Sequence, residues 1–570
     1  MPKILINEKD NTSPGTPGSY ANYSVLIAGY MGRTPVLTED ATEDNPADKI
    51  QPDSNGVYEF SSKQDFEDTV GFSKAEKAAG YADINTDVKG EVHYGKRMAH
   101  ALLNMGYSII YVPIKSILEE DGITSGAFWE LFEDKASYDF RFISHGLLET
   151  NYDKTSYDVL VKRLNEIKAD IKKLEDITNK AMEAAKKAGT DWDKLDQTGK
   201  DELCNVVYQN VMKAAADGGE GYKGFIDRTI PGNTNAQYAT YAEARTDYAK
   251  NNDEIIPELF YQEGEIAKAD AANVTPGTIN NVNGLIARLA SYRTDDKGAQ
   301  LCGGRGDCVA LIELYESCYV TSTKSKKPEA LIIEGIQGMS SSIGDEGAYC
   351  AMTVPSVYYK MSDSTAKFPG AFHYLACFMS SLSAGFAEWY AAAGYTRGVS
   401  SYAIDHTSVK LGEIAINALE PRYIVDQSSQ PPFACNVIAN FRGSYYLWGN
   451  RTAYKLQDEK AGGDLVASHF LNIRQLCSTI KKQIYVACRR FTFDPNSDTL
   501  WFNFVNAITP TLDLMKADQG IKDYRVLKVF TDKKATLKAK IRIIPIEAVE
   551  DFDIEVSLED SFGGVSVAAN

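Results

Sequence analysis

Leu160, Leu164, Ile167, Ile171, Leu174, Thr178 and Ala181 recur at alternating steps of four and three residues, with Lys and Glu between them. A strand repeats with period two, so this stretch reads as a long amphipathic helix carrying a heptad seam. After a polar run at 191–199, a second stretch carries Leu203, Val207, Val211 and Ala214. Together they predict an antiparallel helical hairpin over 155–216, projecting from the body as surface decoration or as a docking surface for a partner.

On either side the hydrophobic period changes. Residues 23–27, 57–60, 108–112, 309–314 and 330–334 are short apolar runs bounded by turn signals, and read as buried strands. Ser61 or Ser62 caps a helix through Phe66, and 96–103 and 282–292 read as helices. Strand, helix, strand in this order predicts an α/β body. Residues 38–56 read as an exposed loop and 217–280 as a loop-rich lobe. Farther on, 370–393, 468–485 and 498–515 read as helices, the last stopped by Gly520. A short amphipathic segment occupies 411–419, and a strand ends at Tyr446–Leu447. Residues 524–530, 536–544 and 552–558 alternate as antiparallel strands do. Residues 3–8 form an apolar strand on a Ser/Thr/Pro/Gly tether at 11–18. Such a strand pairs within its own fold or is donated to a neighbour's sheet, and the pattern leaves both open.

A chain of 570 residues exceeds one ordinary domain, so two to four are expected. Its net charge of −18 argues against a coat for nucleic acid, which needs clustered Lys and Arg. The opening MPKILINEKDNTSPG lacks the basic start and apolar run of a signal peptide. The most apolar stretch, 368–393, is broken by Gly, Ser, His and Glu, and reads as a buried helix rather than a membrane span. Nine cysteines without a CxxC pair read as reduced, buried small hydrophobes of a cytoplasmically folded protein.

Motifs with a chemical mechanism are missing. His93, His100, His145, His373, His406 and His469 form no HExxH, HxH or HxxxH spacing, so no metal site is expected. No GxSxG elbow, phosphate loop or GxGxxG occurs, and neither catalytic residue nor cofactor is assigned. Gly29-Tyr30-Met31-Gly32 reads as a tight turn. Arg305-Gly306-Asp307 reads as a turn feeding a core strand rather than an adhesion tripeptide. Adjacent Asp405 and His406 do not make a triad, whose members meet only in the fold.

Six segments, in order, resemble the contractile tail sheath proteins. Residues 4–9 (ILINEK) resemble the family's opening arm. Ala393-Gly394-Tyr395-Thr396-Arg397-Gly398 resembles its A-P-A-G-x-x-R-G turn, with Ala392 where Pro is frequent. Leu447-Trp448-Gly449-Asn450-Arg451-Thr452 is similar to the motif in which a strand ends in Trp-Gly-x-Arg-Thr. Asn472-Ile473-Arg474 resembles the N-x-R-R helix start, with Gln475 in place of the second Arg. Phe491 to Asn496, with Pro495, followed by Leu500-Trp501, resembles the F-E-P-N-D … L-W segment. Residues 541–549 with 552–556 resemble the final strand pair. The likeness is patchy over 1–150, fuller over 300–560 and absent over roughly 150–280.

The resemblance implies an α/β and α+β multidomain fold. It has a sheath-type core from N- and C-terminal segments, a subtilisin-like-topology middle domain, a helical-hairpin insertion and extended terminal arms. The implied division is an arm at 1–22, an α/β part at 23–149, an insertion at 150–280, a middle domain at 281–440, a C-terminal domain at 441–545 and a last strand and arm at 546–570. Ile4, Leu5 and Ile6, with Phe552, Ile554 and Val556, would be strands exchanged between subunits. The implied function is structural: stacked hexameric rings around a tail tube that contract and drive it through a host envelope for genome delivery. The implied partners are the chain itself, a tube protein, and baseplate and terminator proteins, without nucleic acid or membrane. The implied location is a phage virion assembled in the host cytoplasm. The sheath of an injection particle or secretion system is the alternative, then a non-contractile virion protein. Secretion-system sheaths are usually split over two chains, which favours a phage or phage-like particle.

Overall fold

In this computed structural model, the residues described are 23–31, 36–38, 47–71, 94–114, 122–147, 154–216, 240–243, 276–294, 300–320, 326–339, 342–360, 365–419, 433–455, 466–530, 536–546 and 548. The expected strands at 3–8 and 552–558 lie outside them, as do the 11–18 tether and most of the 217–280 lobe.

Val25 and Ile27 point to one side of the first strand and Leu26 and Ala28 to the other, and all four are fully buried. A strand covered on both faces belongs in the middle of a parallel sheet. In chain order the strands are β1 (Ser24–Tyr30), β2 (Tyr58–Phe60), β3 (Ser108–Ile114), β4 (Phe142–Ser144), β5 (Tyr292–Thr294), β6 (Gln300–Gly303), β7 (Val309–Ile312) and β8 (Cys350–Val354). They continue with β9 (Val357–Lys360), β10 (Thr365–Phe368), β11 (Ile404–Thr407), β12 (Asn436–Phe441), β13 (Ser444–Trp448), β14 (Ile521–Val529) and β15 (Lys538–Pro545). Eight of them build one sheet in the order β13-β12-β8-β7-β4-β1-β3-β2. Its inner strands run parallel, and the edge strands β2 and β13 are antiparallel to their neighbours. Strands from 24–144 and from 309–448 therefore share a single layer.

Each face has its own core. Leu26, Ile110, Ile143, Ala310 and Met352 pack under helices Pro276–Ala290 and Pro328–Met339. Val25, Ile109, Phe142, Leu311 and Ala351 pack under helices Gly95–Asn104 and Gly370–Ser383. Each fully buried Leu, Ile, Val, Phe or Met side chain among them stabilises the fold by about 1.5–3 kcal/mol. The chain is thus a mixed α/β protein. The cap expected at Ser61 or Ser62 is Ser62, whose side chain accepts from the Asp65 amide of helix Lys63–Thr69.

Several expectations are corrected. Residues 330–334 are not a strand but part of helix Pro328–Met339. Pro328 opens it, Glu329 suits its positive end, and Ile332, Ile336 and Met339 recur at helical spacing; a five-residue apolar run does not reveal its period. Gly29 is not in a turn. It lies within β1 opposite Pro113, where a Cβ would stand 2.3 Å from the Tyr111 hydroxyl, so the glycine serves close approach. The 370–393 helix ends at Ser383, and Cys488 is exposed rather than buried. Helices Lys154–Lys187 and Gln197–Ala216 pack on each other, but the second buries Cys204 and Tyr208 rather than Leu203 and Val207. Tyr241 ties the two helices together, its amide donating to the Asn205 side chain and its hydroxyl bonding the Thr178 hydroxyl.

Candidate assembly surface

Helix Leu471–Arg490 carries an apolar stripe, and helix Asp498–Ala517 answers it. Leu476, Ile480, Leu512, Met515 and Ile521 form one small core and Ala487, Phe504 and Ile508 a second. Ser497 caps the second helix by accepting from the Leu500 amide. The antiparallel hairpin β14–β15 lies on this pair, with Tyr524, Val526, Ile541 and Ile543 turned toward the helices. Among the described residues neither outer edge of the hairpin has a strand partner. Unpaired edge amides and carbonyls of this kind are templates for another strand.

Motif residues from distant parts of the sequence meet where this unit joins the sheet. Gly394 takes a φ of 82° at the start of a single helical turn, and Arg397 donates to the Ala391 carbonyl while stacking over Phe386. Gly398 receives the Leu447 amide at 2.7 Å, and a Cβ there would lie 2.4 Å from the Leu447 carbonyl oxygen. Trp448 joins Tyr395, Phe441 and Tyr446 in an aromatic cluster at the β13 edge. Gly449 sits against Asn436, whose side chain accepts from the Arg451 amide and donates to the Met352 and Arg451 carbonyls. Asn450 and Asn472 exchange bonds of 2.7 and 3.0 Å. Arg451 stacks over Phe470, and the Thr452 hydroxyl donates to the Ser468 carbonyl at 2.6 Å. Arg474 lies 4.0 Å over the Tyr349 ring.

Pro495 and Asn496 lie in an exposed turn beyond this junction, next to Phe493, which is 89% exposed at a φ of 76°. Trp501 packs into the second small core. Ile4, Leu5, Ile6, Phe552, Ile554 and Val556 lie outside the described residues. Arg305 and Asp307 form a buried pair under the sheet end, with the guanidinium 4.2 Å over Phe140, so the tripeptide is structural. His406 pairs with Asp405 and stacks on Tyr358 at the surface. Among the described residues no cluster of His, Cys, Asp or Glu is arranged for a metal, and no helix is long and apolar enough to cross a membrane.

Three solved structures to which this chain is similar are chains of contractile injection systems. One belongs to the contracted helical sheath of the anti-feeding prophage, with 11% identity over 98% of this chain and 99% of that one and a TM-score of 0.46. A second is from the contracted sheath complex of PVC, an extracellular contractile injection system, with 15% identity over 49% of this chain and 68% of that one and a TM-score of 0.34. A third is from the six-fold symmetrised anti-feeding prophage baseplate, with 16% identity over 50% of this chain and 66% of that one and a TM-score of 0.34. No protein-family model and no curated protein matches the sequence.

Two residues at the junction, Arg141 and Trp389, escaped the sequence analysis, and Gly520, expected as a helix stop, has another role there. Arg141, 2% exposed, donates to Glu388 at 2.6 Å, to the Gln475 side chain at 2.8 Å and to the Thr479 hydroxyl at 2.8 Å. Gln475 is thus met by an arginine that immediately precedes β4. Trp389 donates its indole N–H to the Asp518 carbonyl at 3.0 Å and accepts from Asn472 at 3.2 Å. Gly520 lies flat on that indole, where a Cβ would stand 2.9 Å from Nε1. The left-handed residue ending the helix is Gln519, at a φ of 58°, so Gly520 is needed for packing and not as the stop.

Proposed function

We propose that this chain is a structural subunit of a contractile sheath that self-assembles by exchanging strands between copies. What carries the reading is the β14–β15 hairpin, two strands with no strand partner on either outer edge among the described residues, held on a helix pair that the motif network fixes to the body. The segment Phe552–Val556 has the alternating apolar pattern of a strand that extends such an edge, and Ile4–Ile6 is a short continuous apolar run of the kind that can do so. Main-chain bonds across added strands give affinity, while tethers let subunits rotate without breaking them.

In its full form the proposal has stacked hexameric rings around a tail tube, with baseplate and terminator proteins at the ends. Contraction delivers a genome from a phage virion, without an enzymatic step or cofactor. It places a subtilisin-like-topology domain in the middle of the chain, the 150–280 segment as an insertion on the outer surface, and terminal arms at 1–22 and 546–570. The energy of contraction comes from a kinetically trapped extended state.

Negative-stain electron microscopy of the purified chain tests this. Hollow striated tubes are expected. Dispersed particles at high concentration, both alone and with the tube protein, overturn the reading.

A further inference from the structure

Glu316 opens one turn of 3-10 helix after β7, and Lys367 lies in β10 of a separate three-stranded sheet ordered β10-β9-β11. The fold brings the two together inside the body: Lys367 Nζ stands 2.6 Å from Glu316 Oε2, with the side chains 9% and 10% exposed. The Ser356 hydroxyl donates to the other carboxylate oxygen, Oε1, and lies 3.0 Å from the Ser408 hydroxyl. Glu313 is a second buried carboxyl beside the pair, close enough for the Glu316 charge to act on it. Buried Tyr319 adjoins both carboxyls, and the Tyr358 ring centroid is 5.7 Å from Lys367 Nζ, so aromatic rings wall the group off.

Two charges taken out of water in this way recover the cost only in part through their mutual attraction. Moving one proton from Lys367 to Glu316 leaves an amine facing a carboxylic acid, the neutral forms that burial favours. Each further part of an acyl-transfer site is then present. The amine is a nucleophile held against its electrophile, which replaces an encounter in solution. Ser356 donates to the carboxyl oxygen on which charge develops. Burial holds the Glu313 carboxyl well above its ordinary range, so this group carries a proton that it can give and take back.

We propose that Lys367 and Glu316 condense to an intramolecular amide, a covalent cross-link that the folded chain makes by itself. The bond from Lys367 Nζ to Glu316 Cδ forms and the bond from Cδ to Oε2 breaks, its electron pair leaving with the oxygen. Oε1, held by Ser356, becomes the amide carbonyl oxygen. Oε2 departs as water, taking the acid's own proton and one from Glu313, and Glu313 regains the proton that the nitrogen loses. Nothing is oxidised or reduced, and no cofactor or second reactant is consumed. The product exchanges two buried charges for one neutral amide, which is what drives the step in a dry site. It ties the end of β7, an inner strand of the eight-stranded sheet, to β10 of the small sheet. The proposal does not depend on the sheath reading, because every group in it belongs to one copy of the chain.

Mass spectrometry of the purified full-length chain under denaturing conditions tests the proposal without any variant. The chain is expected to be lighter than its sequence by one water. Trypsin should fail to cut after Lys367 and should release a branched peptide joining residues 306–324 to 361–397. A chain of full sequence mass that is cut at Lys367 overturns the proposal and leaves an ordinary ion pair. So does a water loss that maps to other residues. Two variants then assign the roles. Lys367→Met is expected to show its full sequence mass. In freshly purified Glu313→Gln, which keeps the shape but loses the mobile proton, the condensed fraction is expected to fall about tenfold. Glu313→Gln condensed as completely as the parent, or Lys367→Met still lacking a water, overturns the proposal.

Discussion

Arg141 keeps its charge inside the protein because Glu388, Gln475 and Thr479 meet its donors and the rings of Tyr23 and Phe378 flank it. Replacing it with Met leaves Glu388 buried against an apolar stub. The expected loss is about 3–5 kcal/mol of unfolding free energy, read by urea denaturation, and the double change with Glu388→Met should recover most of it. Glu313 is the contrasting case. Burial pushes its carboxyl well above the usual 4.5, with the Glu316 charge adding and the Ala371 amide bond opposing. The folded state therefore holds a proton that the unfolded chain releases, and this contribution to stability is lost as pH rises above the ordinary carboxylate range. In Glu313→Gln that part of the pH dependence should vanish, so the stability difference from the parent shifts in the variant's favour between about pH 5 and 8. Denaturation curves across that range check it, and parallel curves would refute it.

Among the elements, the loop at 386–391 makes contacts out of proportion to its regularity. Glu388 reaches the sheet through Arg141, while Trp389 touches the base of the hairpin at Gly520 and the start of helix Leu471–Arg490 through Asn472. Trp389→Ala should speed amide exchange in β14 and β15 about tenfold while β8 and β12 stay protected. Gly520→Ala, which wedges a methyl against the same indole, should destabilise the parent but add little in the Trp389→Ala background. Additive effects would mean the two residues act separately. This loop was illegible in the sequence because its residues act singly and carry no period. The helices at 471–490 and 498–517 and the strand β14 were legible, since their apolar spacing repeats over enough residues to fix a period, while β1, β3 and β7 were read as short continuous apolar runs bounded by turn signals. The run at 330–334 was too short for that, and its opening Pro328 was the overlooked signal. At the candidate surface the motif residues were named from resemblance. That Asn450 meets Asn472, or that Gln475 takes up Arg141, depends on contacts between residues 22 and 334 positions apart, which no local pattern encodes.

For the whole molecule, the strand-exchange proposal predicts that removing residues 1–18 leaves a folded monomer that no longer polymerises. Sedimentation velocity would show it, and unchanged polymer would remove that segment from the assembly scheme. The order of strands in the sheet has a further consequence, in time rather than in space. β1 lies inside the sheet, and the far edge is closed by β12 and β13, so the layer cannot be completed until residue 448 has been made. At about 5–20 residues per second, the first strand waits roughly 20–80 s for the last. The hairpin follows later still, and its base docks on Trp389 of the body at Gly520. A ribosome making this chain therefore completes the strands of the main sheet before it makes the hairpin whose edges are proposed to join one monomer to another.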